Sequence, residues 1–310
     1  MSNDKNKSVI VIVGPTAVGK TELSIELAKR LDGEIISADS RLFYRGMDIG
    51  TAKPTCDQMA IVKHHLIDCA DPKEIWSLAV YRHKVYEIID DIFSRKKVPI
   101  IVGGTGQYIR AITEGWELPP QEPNHAMRDI LIRWAEEIGK DEIHHKLSII
   151  DPKAAEEIDP TNVRRTIRAL EVILLTGRRF SDQRRKVNPR YDFWVIGLNR
   201  PREELYQRID LRIEEMFKQG LVEETKELMR QGLTASNPNL SAIGYREVVD
   251  YLQGDISLEQ AKSLMRKKTR EFVRRQRNWF KPDDTGIHWY EVSENTMEAI
   301  LNEMRIGNIV

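Results

Sequence analysis

Short apolar runs alternate with amphipathic stretches over the first third of the chain. Ser8–Val13 (SVIVIV) is a β-branched run that stops at Gly14-Pro15, the pattern of a strand buried on both faces. Thr21–Leu31 places Leu23, Ile25, Leu27, Ala28 and Leu31 at helical spacing before Asp32-Gly33 ends it. Glu34–Ala38 reads as a second short strand. Tyr81–Phe93 reads as a helix with Val85, Ile88, Ile89 and Ile92 on one stripe. Val98–Val102 (VPIIV) is another buried strand, and it runs into Gly103-Gly104-Thr105-Gly106. Strand, helix and strand in alternation predict a parallel sheet covered by helices.

The pattern changes after residue 113. From 114 to 190 there are several helix-like stretches and no convincing strand, bounded by a Pro-rich hinge at Trp116–Pro123 and a break at Asn188-Pro189. This reads as a helical insertion. Phe193–Leu198 (FWVIGL) returns to the sheet. Pro201–Gln219 has a proline and two glutamates at its start and Gly220 at its stop, so it predicts a strong helix. A final helix is predicted from Leu258 to about Phe280. The expected architecture is α/β: a P-loop parallel sheet flanked by helices, with an inserted helical subdomain. Residues 1–113 form the first part of the core, 114–190 the insertion, and 191–310 the rest of the core with its basic C-terminal helix.

With 41% hydrophobic and 31% charged residues, the composition suits a core-bearing enzyme. No apolar run is long enough for a membrane span, and the polar MSNDKNKS start does not resemble a secretory leader. Cys56 and Cys69 make neither a disulfide framework nor a metal-ligand pattern. These features predict a cytoplasmic protein. Lys+Arg and Asp+Glu balance at 48 each, yet the cations cluster. One cluster is Arg164, Arg165, Arg168, Arg178, Arg179, Arg184, Arg185, Lys186 and Arg190. The other is Lys262, Arg266, Lys267, Lys268, Arg270, Arg274, Arg275, Arg277 and Lys281. Each is either a solvated helix face or a surface for a polyanion.

Gly14-Pro15-Thr16-Ala17-Val18-Gly19-Lys20-Thr21 fits G-x-x-x-x-G-K-[ST], between an apolar strand and a helix. Glycines let such a loop curl its N–H groups inward, the lysine neutralises phosphate, and the Thr21 hydroxyl can ligate Mg²⁺. The motif implies phosphate binding without saying which phosphate. Asp39 follows the second strand, so it should face the same crevice as the loop. There it could bind Mg²⁺ through water, act as a base, or cap a helix. The third strand ends in glycines and Thr105 rather than an aspartate, which disfavours an ATPase and suits close backbone approach to a ligand. Arg208 and Arg212 share one face of Pro201–Gln219. They serve the site only if that helix packs beside the loop.

Taken together, GPTAVGKT, SADSRLFYRGMDIGTAKP, HHLID, GGTGQYIRA, RRTIRALEV, AIGYRE and TREFVRRQRNWF resemble the tRNA dimethylallyltransferases over nearly the whole chain. Leu42 stands where many members of that family have Gln, and Gln107 where an apolar residue is common. The resemblance implies that Gly14–Thr21 and Arg208 hold the diphosphate of dimethylallyl diphosphate, with Mg²⁺ on Thr21. It implies that Asp39, Thr105 and Arg212 are catalytic, Asp39 taking a proton from N6 of the adenosine next to the anticodon. It implies tRNA contacts from Asp39, Ser40, Arg41, Leu42 and Thr105. Further contacts are implied from Arg164, Arg165, Thr166, Ile167 and Arg168, and from Ser241, Ala242, Ile243, Gly244, Tyr245 and Arg246. The implied partners are the tRNA anticodon stem-loop and the prenyl donor, with the protein a monomer. Competing readings are an adenylate isopentenyltransferase acting on free AMP or ATP, a P-loop small-molecule kinase, and a non-catalytic RNA-binding protein.

Overall fold

A computed structural model describes residues 8–116, 124–183 and 188–307. The Pro-rich hinge after Trp116, together with Arg184, Arg185, Lys186 and Val187, lies outside the described residues. The chain runs β1 (Ser8–Val13), α1 (Lys20–Arg30), β2 (Gly33–Ser37), α2 (Cys56–Ile61), β3 (His64–His65), α3 (Leu78–Ser94), β4 (Val98–Val102) and α4 (Gly106–Thr113). It continues through α5 (His125–Ile138), α6 (Lys140–Ile150), α7 (Pro152–Glu157) and α8 (Val163–Thr176). Then come β5 (Asp192–Asn199), α9 (Arg202–Lys218), α10 (Leu221–Arg230), α11 (Tyr245–Leu252), α12 (Leu258–Trp279), β6 (Ile287–Glu291) and α13 (Thr296–Ile306). No helix among the described residues is long and apolar enough to cross a membrane.

The chain divides into two compact units. Among the described residues, the first holds 8–76, 83–109 and 190–307, and contains a six-stranded sheet in the order β3-β2-β4-β1-β5-β6. Every pairing is parallel, so strands bury both faces under helices. That explains the uninterrupted apolar spelling of β1, whose Val9 to Val13 are fully buried. Ile10 pairs with Ile100 of β4 on one side and Trp194 of β5 on the other. The two-residue strand β3 and the edge strand β6 were not anticipated. His64-His65 has no apolar run, and Ile287–Glu291 (IHWYE) mixes charge with aromatics as sheet edges do.

One charged group is buried at the amino end of the sheet. Glu34 of β2 forms an ion pair with Arg95 and a hydrogen bond with His65 Nε2 at 2.7 Å. The Arg95 hydrogen bonds hold its pKa down to about 2 against the opposing effect of burial.

Among the described residues, the second unit holds 77–82, 110–116, 124–183 and 188–189. Its helices close on a core that includes Leu131, Ile143, Leu147, Ile158 and Leu170. Glu171 is fully buried there. It accepts from Asn124 N (2.9 Å) and Arg128 (2.7 Å), and pairs with Arg168 at 3.0 Å. Burial alone would raise its pKa, but the two guanidinium partners hold it below the usual carboxylate range.

Candidate functional site

The carboxyl ends of β1, β2, β4 and β5 bring four stretches of chain together. From β1 the chain enters the Gly14–Thr21 loop, where Ala17 (φ 64°) and Gly19 (φ 111°) are left-handed. Gly19 is also the N-cap of α1 and offers no side-chain cap, so the first amides of that helix have no internal acceptor. Such alternating backbone makes a concave row of N–H donors at the positive end of a helix, a seat for an anion. The Lys20 amine donates to the carbonyls of Gly14 (3.1 Å) and Pro15 (2.8 Å). Burial pushes its pKa down to about 8, with Asp39 opposing, Arg212 adding to the fall, and Glu22 opposing.

Helix α9 does pack beside this loop, the condition on which its arginines depended. Leu205, Ile209, Ile213 and Met216 are its buried stripe. Arg208 Nε donates to Ala17 O at 2.8 Å. Arg212 keeps solvent access, but the crowding of protein around its guanidinium lowers its pKa. Glu22 opposes that shift, Arg208 adds to it and Asp39 opposes it, so these charges share one field.

Asp39 and Thr105 sit on adjacent strand ends. Ala38 N donates to Val102 O at 2.7 Å, and a Cβ on Gly103 would collide with the Ala38 carbonyl. That contact requires glycine and presses the two turns together. Asp39 Oδ1 accepts from Arg41 N at 3.0 Å, closing a turn and not a helix, since the next helix begins only at Cys56. Among the described residues its other carboxylate oxygen and the Thr105 hydroxyl have no hydrogen-bond partner. Thr105 is half-buried, and its carbonyl starts α4 by accepting from Tyr108 N at 2.9 Å. Asp39 also contributes to the elevation of the Tyr108 pKa to about 12, after burial and Tyr44.

Three residues of this region were not anticipated. Arg200 Nε donates to Val18 O at 2.9 Å. Gln276, on α12, contacts both Thr16 and Gly104. Glu224 of α10 accepts from the amides of Asp48 (3.0 Å), Ile49 (2.8 Å) and Gly50 (3.1 Å) and from the Tyr245 hydroxyl (2.6 Å), fixing the MDIG turn. Each comes from a distant stretch and contacts mainly backbone, which no local pattern announces.

The other candidate residues divide by exposure. Ser40, Arg41 and Leu42 line a half-buried turn, and Arg41 reaches Pro238 O (3.2 Å) and Asn239 Oδ1 (3.1 Å). Ser241, which donates to Pro238 O at 2.6 Å, is therefore a neighbour of that turn. Ile243 and Arg246 are partly exposed, and Arg246 pairs with Asp250 at 3.0 Å. Ala242, Gly244 and Tyr245 are buried; the Tyr245 side chain supports Glu224 and has no surface to offer RNA.

In α8, Arg164 and Arg165 are exposed, without side-chain partners among the described residues. Thr166 and Ile167 face the core, and Arg168 is tied to Glu171. Helical periodicity turns Thr166 and Ile167 inward, while Arg168 stays partly exposed beside Glu171. The basic run on α12 is also half spent inside its own unit. Lys262 and Arg266 pair with Glu214, Arg270 with Asp210 at 2.7 Å, and Lys268 with Glu247 at 2.6 Å.

Among the described residues no cluster of three or more His, Cys, Asp or Glu is placed to hold a metal. The donor set does suit a cation that arrives with phosphate: one free hydroxyl on Thr21 and one carboxylate on Asp39 match the few protein ligands Mg²⁺ takes beside substrate phosphates.

Comparison with known proteins identifies the family. The IPP transferase family model matches residues 42–283, and the isopentenyl transferase model matches residues 7–73. The chain is 44% identical over 307 residues to the tRNA dimethylallyltransferase of Thermomicrobium roseum, covering 97% of this chain and 93% of that one. It is 43% identical over 304 residues to the Bacillus mycoides enzyme of the same name, covering 97% and 95%. The crystal structure of a tRNA isopentenylpyrophosphate transferase from Bacillus halodurans matches with a TM-score of 0.72 at 40% identity, covering 98% of this chain and 97% of that one. A eukaryotic dimethylallyltransferase acting on tRNA matches with a TM-score of 0.81 at 29% identity, covering 97% and 80%. A six-stranded parallel sheet, a family model that spans most of the chain and full-length similarity at this level lead to one conclusion: the chain belongs to the IPP transferase family.

Proposed function

We propose that this protein transfers a dimethylallyl group from dimethylallyl diphosphate to N6 of the adenosine adjacent to the anticodon of tRNA, releasing diphosphate. The observation that carries the site assignment is the convergence of Lys20, Arg208 and Arg212 with Asp39 and Thr105 at one end of the sheet. Cations and loop amides suit a leaving diphosphate, and a carboxylate suits a nucleophilic amine.

The chemistry follows from charge. The C1–O bond of the donor breaks and its electron pair leaves on the diphosphate. Lys20, Arg212 and the amides at the start of α1 stabilise that pair where it develops. The N6 lone pair forms the new bond to C1, and the proton lost from N6 passes to the Asp39 carboxylate and on to solvent. The free Thr105 hydroxyl offers a hydrogen bond that orients the reacting groups. Mg²⁺, held by Thr21, would add charge stabilisation on the diphosphate. The target base has to be splayed from its loop to reach such a site, and exposed Arg164 and Arg165 suit phosphates of the RNA arm.

Labelled dimethylallyl diphosphate incubated with tRNA or with AMP tests the proposal. Label appears in tRNA and not in AMP. Label in AMP alone would make the protein an adenylate isopentenyltransferase, and phosphoryl transfer without a prenyl donor would make it a kinase.

A further inference from the structure

The final turns of α12 hold an amide where the helix should hold a hydrophobic residue. Val273 and Phe280 flank position 276 on one face and are buried, and Gln276 between them is only 4% exposed. A side-chain amide in an apolar stripe is costly unless both of its ends are engaged. Here both are. Oε1 accepts from Thr16 N at 2.8 Å, and Nε2 donates to Gly104 O at 3.1 Å. Thr16 lies on the outer limb of the phosphate-binding loop, and Gly104 immediately precedes Thr105. A Cβ on Gly104 would collide with this amide, so the approach is close. The contact spans 260 residues of sequence on one side and 172 on the other.

We infer that Gln276 is a positioning residue that couples the diphosphate loop to the Thr105 turn, setting the distance between the donor's leaving group and the hydroxyl at the reaction centre. The inference rests on the proposed prenyl transfer for the identity of the donor. The bridge itself needs one acceptor and one donor in fixed places. An ionised glutamate keeps the acceptor for Thr16 N but repels the Gly104 carbonyl. A protonated glutamic acid restores both bonds, its O–H replacing the amide N–H. A methionine of similar volume supplies neither.

The test uses the full chain with Gln276→Met and Gln276→Glu. Thermal unfolding, separate equilibrium titrations of dimethylallyl diphosphate and tRNA, and single-turnover transfer are measured from about pH 5.5 to about pH 8, each normalised to wild type at the same pH. Gln276→Met should weaken donor binding at least about tenfold and slow transfer about 10²-fold, the scale expected of a misplaced reacting group. Its tRNA affinity should stay within about twofold of wild type. Gln276→Glu should match Gln276→Met at high pH and recover toward wild type as pH falls and the buried carboxyl takes up its proton. Donor binding and transfer at wild-type levels in both variants would overturn the coupling, as would a parallel loss of donor and tRNA affinity. A glutamate variant that does not recover relative to the methionine variant would overturn it too. If Gln276→Met fails to fold, the pH dependence of Gln276→Glu decides alone. A wild-type protein that binds the donor but never labels tRNA refutes the proposed acceptor, and the donor titrations of the variants still decide the coupling.

Discussion

Reversing charge at Arg164 and Arg165 together should weaken tRNA binding by an amount that can be worked out in advance. Both side chains are exposed on α8 and lack partners among the described residues. Their removal therefore costs the fold little. Each phosphate contact contributes roughly 0.7–0.9 to the slope of log affinity against log salt, so losing two should lower the slope by about 1.4–1.8. Counterion release vanishes near 1 M salt, so at about 0.1 M the same contacts are worth about 25–60-fold in affinity. Anisotropy titration of a labelled anticodon stem-loop across a salt series reads both quantities, with donor affinity unchanged. Arg168→Met is the internal control. It strips a partner from buried Glu171, so it should lower stability by about 1–3 kcal/mol while leaving the salt slope in place. A double reversal that keeps the full wild-type slope, or wild-type binding indifferent to salt, would refute the assignment of this face to RNA.

Three further outcomes are expected. Asp39→Ala should bind tRNA nearly normally yet lose about 10²–10⁴-fold in transfer, and near wild-type turnover at saturating substrates would remove it from the mechanism. Lys20 has its pKa lowered to about 8, and only its ammonium form attracts a diphosphate, so donor affinity of the free protein should fall as pH rises through about 8. Isothermal titration over that range should show no such fall for Lys20→Met. Glu34 sits near 2 in the folded protein against an ordinary 4.5, worth at most about 3 kcal/mol. Its folded pKa is depressed, so this stability is present above about 4.5 and lost as pH falls toward about 2. Denaturation of Glu34→Gln should show lower stability at neutral pH and a flatter acid limb.

Elements with a strong period or an unbroken apolar run could be read directly. β1, β4, α9 and α12 lie within a residue or two of their predicted limits, because burial on both sheet faces or along one helix stripe dictates their spelling. The loop at Gly14–Thr21 was also readable, since its glycines and lysine are needed for local reasons. Edge strands β3 and β6 have one neighbour each and little apolar constraint, so they left no pattern. Charge runs stayed ambiguous for a related reason. Composition counts cations without seeing that Asp210, Glu214 and Glu247 from other helices neutralise several on α12. The motif-level view of residues 164–168 likewise treats as one stretch what the helix divides between solvent and core. Gln276, Arg200 and Glu224 act on backbone groups far away in sequence, and only folding brings those groups within reach.

The central position of β1 has a consequence in time. Its first sheet partner, β4, is complete only at Val102, and its other edge waits for β5 at Asp192–Asn199. About 180 residues separate Val13 from the start of β5. At ribosomal rates of 5–20 residues per second, an all-apolar strand keeps one edge unpaired for roughly 10–40 s of synthesis. Such a segment is a template for association between nascent chains. Production of this protein should therefore depend more on translation speed and on chaperones that shield emerging chains than the central, fully paired place of β1 in the finished sheet would suggest.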